Sequence, residues 1–192
     1  MLTIYAHPSR NRGAVVGLSA IQFGGRVNMF AIDWTAPKSP VLRPKDYIPS
    51  SRVFIEARIV DHSETKNKYY EGCGSVKYRV IGDVYRYDQV ELEGWEINLS
   101  HFNKTSTKDT PGNIRVRKFR EWTPANNHYV GRIAQHELDH QAGQRFPAIA
   151  VPGTLREITE PEKFTYRNPR AGTTPLSPKE AQLLVEQATP FF

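Results

Sequence analysis

Gln135-His136-Glu137-Leu138-Asp139-His140 is the stretch on which the reading of this 192-residue chain turns. On an α-helix, residues four apart lie about 40° from a common face and about 6 Å apart along the axis, so both imidazoles can reach one metal ion. Glu137 shares that side of the helix, where it can exchange a proton with a water molecule. This is the physical logic of the HExxH pattern. The flanks fit a helix over 127–142. Val130, Ile133, Ala134 and Glu137 recur at helical spacing, Asn126 or Asn127 can cap the start, and Gly143 suits the end.

Two histidines do not complete a catalytic site, which normally takes three protein ligands and keeps one position open. A glutamate downstream is one candidate for the third ligand, but Glu157, Glu160 and Glu162 fall in a Pro-containing stretch without a clear helix. A third histidine at the metzincin spacing would fall on Phe146, which excludes that arrangement. The remaining candidate is Cys73, the one cysteine, in Glu71-Gly72-Cys73-Gly74-Ser75. A cysteine alone is more often a small buried hydrophobe. A thiolate between glycines in a tight turn is accessible to a metal, and the helix motif makes that reading the stronger one.

Upstream of the helix the pattern is β-rich. VNMFAID (27–33), RVFIEARIV (52–60), KYYEGCGSVKYRV (68–80), YRYDQVELEGWEINL (85–99) and NIRVRKF (113–119) carry strand propensity. The 85–99 segment alternates at period two through Tyr87, Val90, Leu92, Trp95, Ile97 and Leu99, with a slip near Gly94 that predicts a bulge or a hairpin turn. Residues 34–52, 61–68 and 100–113 read as connections. A second helix is predicted over 178–188, where Ser177 and Glu180 form a capping box with Pro178 at the first helical position. Strands, then a central helix, then a terminal helix give an α+β class: antiparallel or mixed sheets packed around the HExxH helix. The length suits a single domain over 1–192, with an atypical N-terminus (1–14) and a C-terminal helix and tail (173–192).

These motifs resemble peptide deformylase. Gly17-Leu18-Ser19-Ala20-Ile21-Gln22 is similar to that family's glycine-led motif ending in glutamine. It is followed in the family's order by Glu71-Gly72-Cys73-x-Ser75 and by the HExxH helix. Val84-Tyr85-Arg86 looks like the strand whose arginine pairs with the motif's glutamate, here Glu71. The resemblance implies metal held by Cys73, His136 and His140, and removal of the N-formyl group from N-terminal methionine with release of formate. Glu137 would move the proton, and the Gln22 side chain and the Gly74 N–H would stabilise the developing oxyanion. Gly17, Glu71, Gly72, Arg132 and Ile133 would line the substrate side. The implied cofactor is one divalent ion, Fe²⁺ in the cell with Zn²⁺, Ni²⁺ or Co²⁺ as substitutes. Departures from the family pattern are Val15 for its first glycine, Gly74 for a bulky residue, Arg132 where an apolar residue is usual, and a short segment before the first motif. A deformylase-like amidase for another N-acylated substrate, or a silent ribosome-binding relative, are the competing readings.

Composition narrows the setting. No apolar run reaches the length of a membrane span, and the start MLTIYAHPSRNR lacks a signal-peptide core. One cysteine fits a reducing compartment. The expected location is the cytoplasm of a bacterial or phage-infected cell, with an organelle as the alternative. The net charge of +6 fits transient ribosome contact more than specific DNA binding. Arg115, Arg117, Lys118 and Arg120 read first as the solvated face of an exposed strand.

Overall fold

A computed structural model of the chain describes residues 17–33, 51–73, 76, 80–98, 116–124, 130–160, 162–164, 168 and 170–187. Its strands are β1 (Gly17–Ser19), β2 (Met29–Asp33), β3 (Ser51–His62), β4 (Lys66–Gly72), β5 (Val80–Tyr87), β6 (Gln89–Asn98), β7 (Val116–Pro124), β8 (Arg156–Ile158) and β9 (Thr173–Pro175). The central helix is Val130–Gln141, a short helix follows at Phe146–Ile149, and the C-terminal helix is Pro178–Gln187. The described strands form two sheets, β1-β2-β3-β6-β7 and β4-β5-β8-β9, with antiparallel pairing throughout. This is the predicted α+β class.

The central helix is used on two sides. Val130, Ile133 and Ala134 enter the main core with Phe30, Ile32, Phe54, Ala57, Val90, Leu92 and Phe119 of the five-stranded sheet. Phe30 and Phe54 are fully buried and stacked at 4.9 Å, and Phe119 meets Phe54 edge-on at 5.4 Å. Each such side chain stabilises the fold by roughly 1.5–3 kcal/mol. The polar side of the helix turns to the other sheet. Gln135 accepts from the Tyr87 N–H at 3.1 Å and donates to the Tyr87 carbonyl at 3.2 Å, tying the helix to the end of β5. Gly143, at φ 77°, ends the helix as expected.

The slip near Gly94 is real, but it lies in the partner strand. Pairing passes from Ile55↔Trp95 to Arg58↔Glu93, so Glu56 and Ala57 bulge out of β3 opposite Gly94. A Cβ at Gly94 would sit 2.8 Å from Ala57 Cα, so the glycine marks a close backbone approach. On β6 itself the alternation continues unbroken. Glu96 follows Val90 and Leu92 into the interior at 1% exposure, and Trp95 faces outward at 46%. That reverses the apolar assignment of Trp95. The buried Glu96 charge is matched by Arg52, at 2.6 Å from its Nε, and by Arg117. The 85–99 segment is also two strands rather than one, with Asp88 at the turn between β5 and β6.

The predicted basic face is largely an ion-pair ladder. Arg117 pairs with Glu96, and Arg120 with Glu91 at 2.8 Å. Arg115 lies outside the described residues, as do the predicted helix caps Asn126 and Asn127. In the smaller core, Leu176, Ala181 and Leu184 pack against Val80, Val84, Phe146 and Leu155. The capping box closes there: Glu180 Oε2 accepts from the Ser177 N–H at 2.9 Å, and Ser177 Oγ accepts from the Glu180 N–H at 3.3 Å. Among the described residues no helix is long and apolar enough to cross a membrane.

Candidate metal centre

Cys73 follows the last residue of β4, and the Val76 N–H donates to its carbonyl at 3.2 Å. Its thiol lies against the polar side of the central helix. Cys73, His136 and His140 offer ligand atoms that all lie within 4.8 Å of one another. Cys73 Sγ is 3.2 Å from His140 Nε2, and the two imidazole rings meet edge-on at 4.8 Å. His136 Nδ1 is engaged by Glu71 Oε2 at 2.9 Å, which leaves Nε2 as the nitrogen for the cluster. Glu157 is on β8, paired with Val80 and Thr174, and has no place in this group.

The electrostatics fit a cation. Burial pushes the Cys73 thiol up, but hydrogen bonds with His136 and His140 outweigh it and bring the group down to about 5. The thiolate is the metal-binding form. Burial acts to lower His136, yet Cys73 and Glu71 hold it well above an ordinary histidine. The buried carboxylate of Glu71 and the Cys73 thiolate are the negative groups that a cation would meet here. Cysteine with two histidines is a borderline-soft donor set of the kind that takes Zn²⁺ or Fe²⁺.

Glu137 lies beside the ligands at 3% exposure. Burial drives its carboxyl up to about 7 against the pull of His136 and His140. Among the described residues its Oε2 has no hydrogen-bond partner, an unusual state for a buried carboxylate unless a further group belongs there. Gly17 fits closely over it. A Cβ at that position would fall 2.4 Å from Glu137 Oε1 and 2.5 Å from Ile133 Cγ2. Gln22 is the third residue of a single 3₁₀ turn, Ala20–Phe23, that follows β1, and its Oε1 accepts from the Ser19 N–H at 2.8 Å. A backbone N–H can only donate, so the amide NH₂ must face the other way. Nε2 lies 3.8 Å from Cys73 Sγ.

Other expected residues fall differently. Gly74 lies outside the described residues. Gly72 closes β4 opposite Ile81, and Ile133 faces the main core at 8% exposure, beneath Gly17. Arg132, expected on the substrate side, is 4% exposed, and its Nη1 donates to Glu71 Oε1 at 2.7 Å. Glu71 also receives the expected Arg86, bidentate at 2.9 Å for each bond. Arg86 reaches Asp139 Oδ2 at 2.5 Å as well. Neither Asp139 nor Arg132 was identified from sequence as a partner in this network. The signal was present: Arg132 precedes His136 by four residues, so a carboxylate that reaches one can reach the other.

Burial alone would push the Glu71 carboxyl up, but the bonds from Arg86 and His136 hold it well below the usual carboxylate range. Its stabilising contribution is therefore present above pH about 4.5 and is lost as pH falls below that value. Thermal melting of the protein should drop on acidification from about pH 5 to pH 3, with a shallower drop in Glu71→Gln. Equal slopes for the two proteins would contradict this.

The match to the family model described as polypeptide deformylase covers residues 1–150. A peptide deformylase of Flavobacterium johnsoniae is 32% identical over 161 residues, 78% of this chain and 71% of the relative. One from Chlorobaculum parvum is 27% identical, covering 89% of this chain and 76% of the relative. Among solved structures, a peptide deformylase from Synechococcus elongatus in complex with actinonin superposes with a TM-score of 0.50 at 24% identity. That match covers 71% of this chain, which spans 59% of the solved chain, and the likeness concerns the fold.

Proposed function

The chain belongs to the polypeptide deformylase family, and from that membership we propose that it hydrolyses the N-formyl group of methionine at the start of nascent peptides, releasing formate. The observation that carries the reading is the clustering of Cys73, His136 and His140 around one point, with the buried Glu137 carboxylate beside it. A divalent cation held there would lower the pKa of water from 15.7 towards about 7 and polarise the formyl oxygen.

The protein groups then have separate tasks. Glu137 accepts a proton from the attacking water and delivers it to the departing amine nitrogen. A carboxyl poised near neutrality by burial suits both halves of that transfer. Gln22, turned by the Ser19 N–H, presents its NH₂ to the oxygen on which charge develops. Gly74 would add its backbone N–H as a second donor. Glu71 fixes the His136 ring through Nδ1. The peptide would lie as an added strand beside the site, along the outer edge of β4 and near β1, each of which ends its sheet. We assign Fe²⁺ as the ion in the cell, with the cytoplasm as location and transient ribosome contact favoured by the net charge of +6.

Removal of one preorganised oxyanion donor costs about 2.7–4 kcal/mol, so Gln22→Ala should lower kcat by about 10²–10³-fold with metal content unchanged. Unchanged kcat would remove Gln22 from the reaction. A panel of formyl-Met, formyl-Ala and acetyl-Met peptides tests the substrate assignment. Turnover should be confined to formylated peptides and be fastest with methionine. Faster release from an acetylated peptide would overturn it.

A further inference from the structure

Arg132 sits where a guanidinium is costly to bury, at 4% exposure. Its Nη1 donates to Glu71 Oε1 at 2.7 Å and to the Val84 carbonyl at 3.3 Å. Its Nη2 donates to the Asn67 carbonyl at 3.2 Å and also to Asn67 Oδ1. Arg132 therefore ties the central helix to both β4 and β5 around one carboxylate.

The acceptor count on Glu71 is the informative part. A carboxylate offers about four lone-pair sites. Oε1 takes Arg86 Nε and Arg132 Nη1, while Oε2 takes Arg86 Nη2 and His136 Nδ1. Arg86 alone, gripping both oxygens, would leave one site open on each. Arg132 fills the site on Oε1, so His136 has a single oxygen to meet. The same guanidinium is anchored at its other end by Asn67, so it cannot follow the carboxylate if Glu71 turns.

We propose that Arg132 is a positioning residue for the metal centre: as the second guanidinium on Glu71, it fixes the carboxylate so that Oε2 holds His136 Nδ1 and the ring directs Nε2 to the ion. The proposal rests on the reading of Cys73, His136 and His140 as a metal site. It differs in sign from a simple charge effect. Removing a nearby positive charge, by itself, strengthens cation binding. Loss of positioning weakens it, and changes to outer partners of a ligand typically cost 10–100-fold in metal affinity.

The test is Co²⁺ affinity by chelator competition, with the visible spectrum and thermal melting of the same samples, for wild type, Arg132→Met, Arg132→Lys and Asn67→Ala. The expected result is one tightly bound Co²⁺ in wild type, about tenfold weaker binding in Arg132→Met with an altered spectrum, and partial recovery in Arg132→Lys. Affinity in Arg132→Met equal to or tighter than wild type, even with a lowered melting temperature, would overturn the proposal and leave the metal site standing. No Co²⁺ binding by wild type would overturn the metal site itself. Should Arg132→Met fail to fold, Asn67→Ala decides. Weaker binding there supports the proposal, and wild-type affinity overturns it.

Discussion

Replacing Glu137 with alanine is expected to lower formate release from a formyl-Met peptide by about 10²–10⁴-fold, the usual range for a lost general acid–base group. Metal content should stay at the wild-type level, because the carboxylate is not one of the three clustered ligands. The same change should not lower the melting temperature. Glu137 is 3% exposed, and its Oε2 has no partner among the described residues, so the native protein carries a buried polar atom that adds nothing to folding. A stability cost at a site needed for chemistry is the pattern this predicts. Full activity in Glu137→Ala, with metal bound, would remove the proton-transfer role.

Cys73→Ala is expected to abolish stoichiometric metal. Two histidines on one helix are left, and the loss should exceed the 10–100-fold that changes to outer partners cost. The thiol is also held towards its metal-binding thiolate form, since bonds with His136 and His140 bring it down to about 5 in spite of burial. A zincin-like arrangement, with a downstream glutamate as third ligand, predicts the opposite result. Normal metal stoichiometry in Cys73→Ala would therefore exclude Cys73 and restore that rival.

His136, Glu137 and His140 were legible because they need only the helical period, and that helix is present over Val130–Gln141. Cys73 and Gln22 lie far from it in sequence and were reached through the order of motifs rather than through local spacing. The pairing of Glu71 with Arg86 was expected and is present at 2.9 Å. What the sequence hid depends on tertiary packing. Alternation grouped Trp95 with Val90 and Leu92 as apolar positions. In the structure Trp95 faces outward and Glu96 takes the inward place, because Arg52 and Arg117 compensate a buried glutamate and the bulge in β3 absorbs the slip. The three-residue strands β8 and β9 are too short to show a period. Arg132 was expected on the substrate side because the family resemblance puts a usually apolar residue at that position. Its partners Asn67 and Glu71 come from a distant strand, and only the fold brings them together.

Deformylase activity of this chain is expected to depend on one ion at Cys73, His136 and His140. The most direct measurement strips the protein of metal under anaerobic conditions, titrates Fe²⁺ back, and follows bound metal and formate release on the same samples. Formate release rising in proportion to bound ion and levelling at one ion per chain is the predicted result. Turnover in the stripped protein, or one bound ion with no formate release, would contradict it.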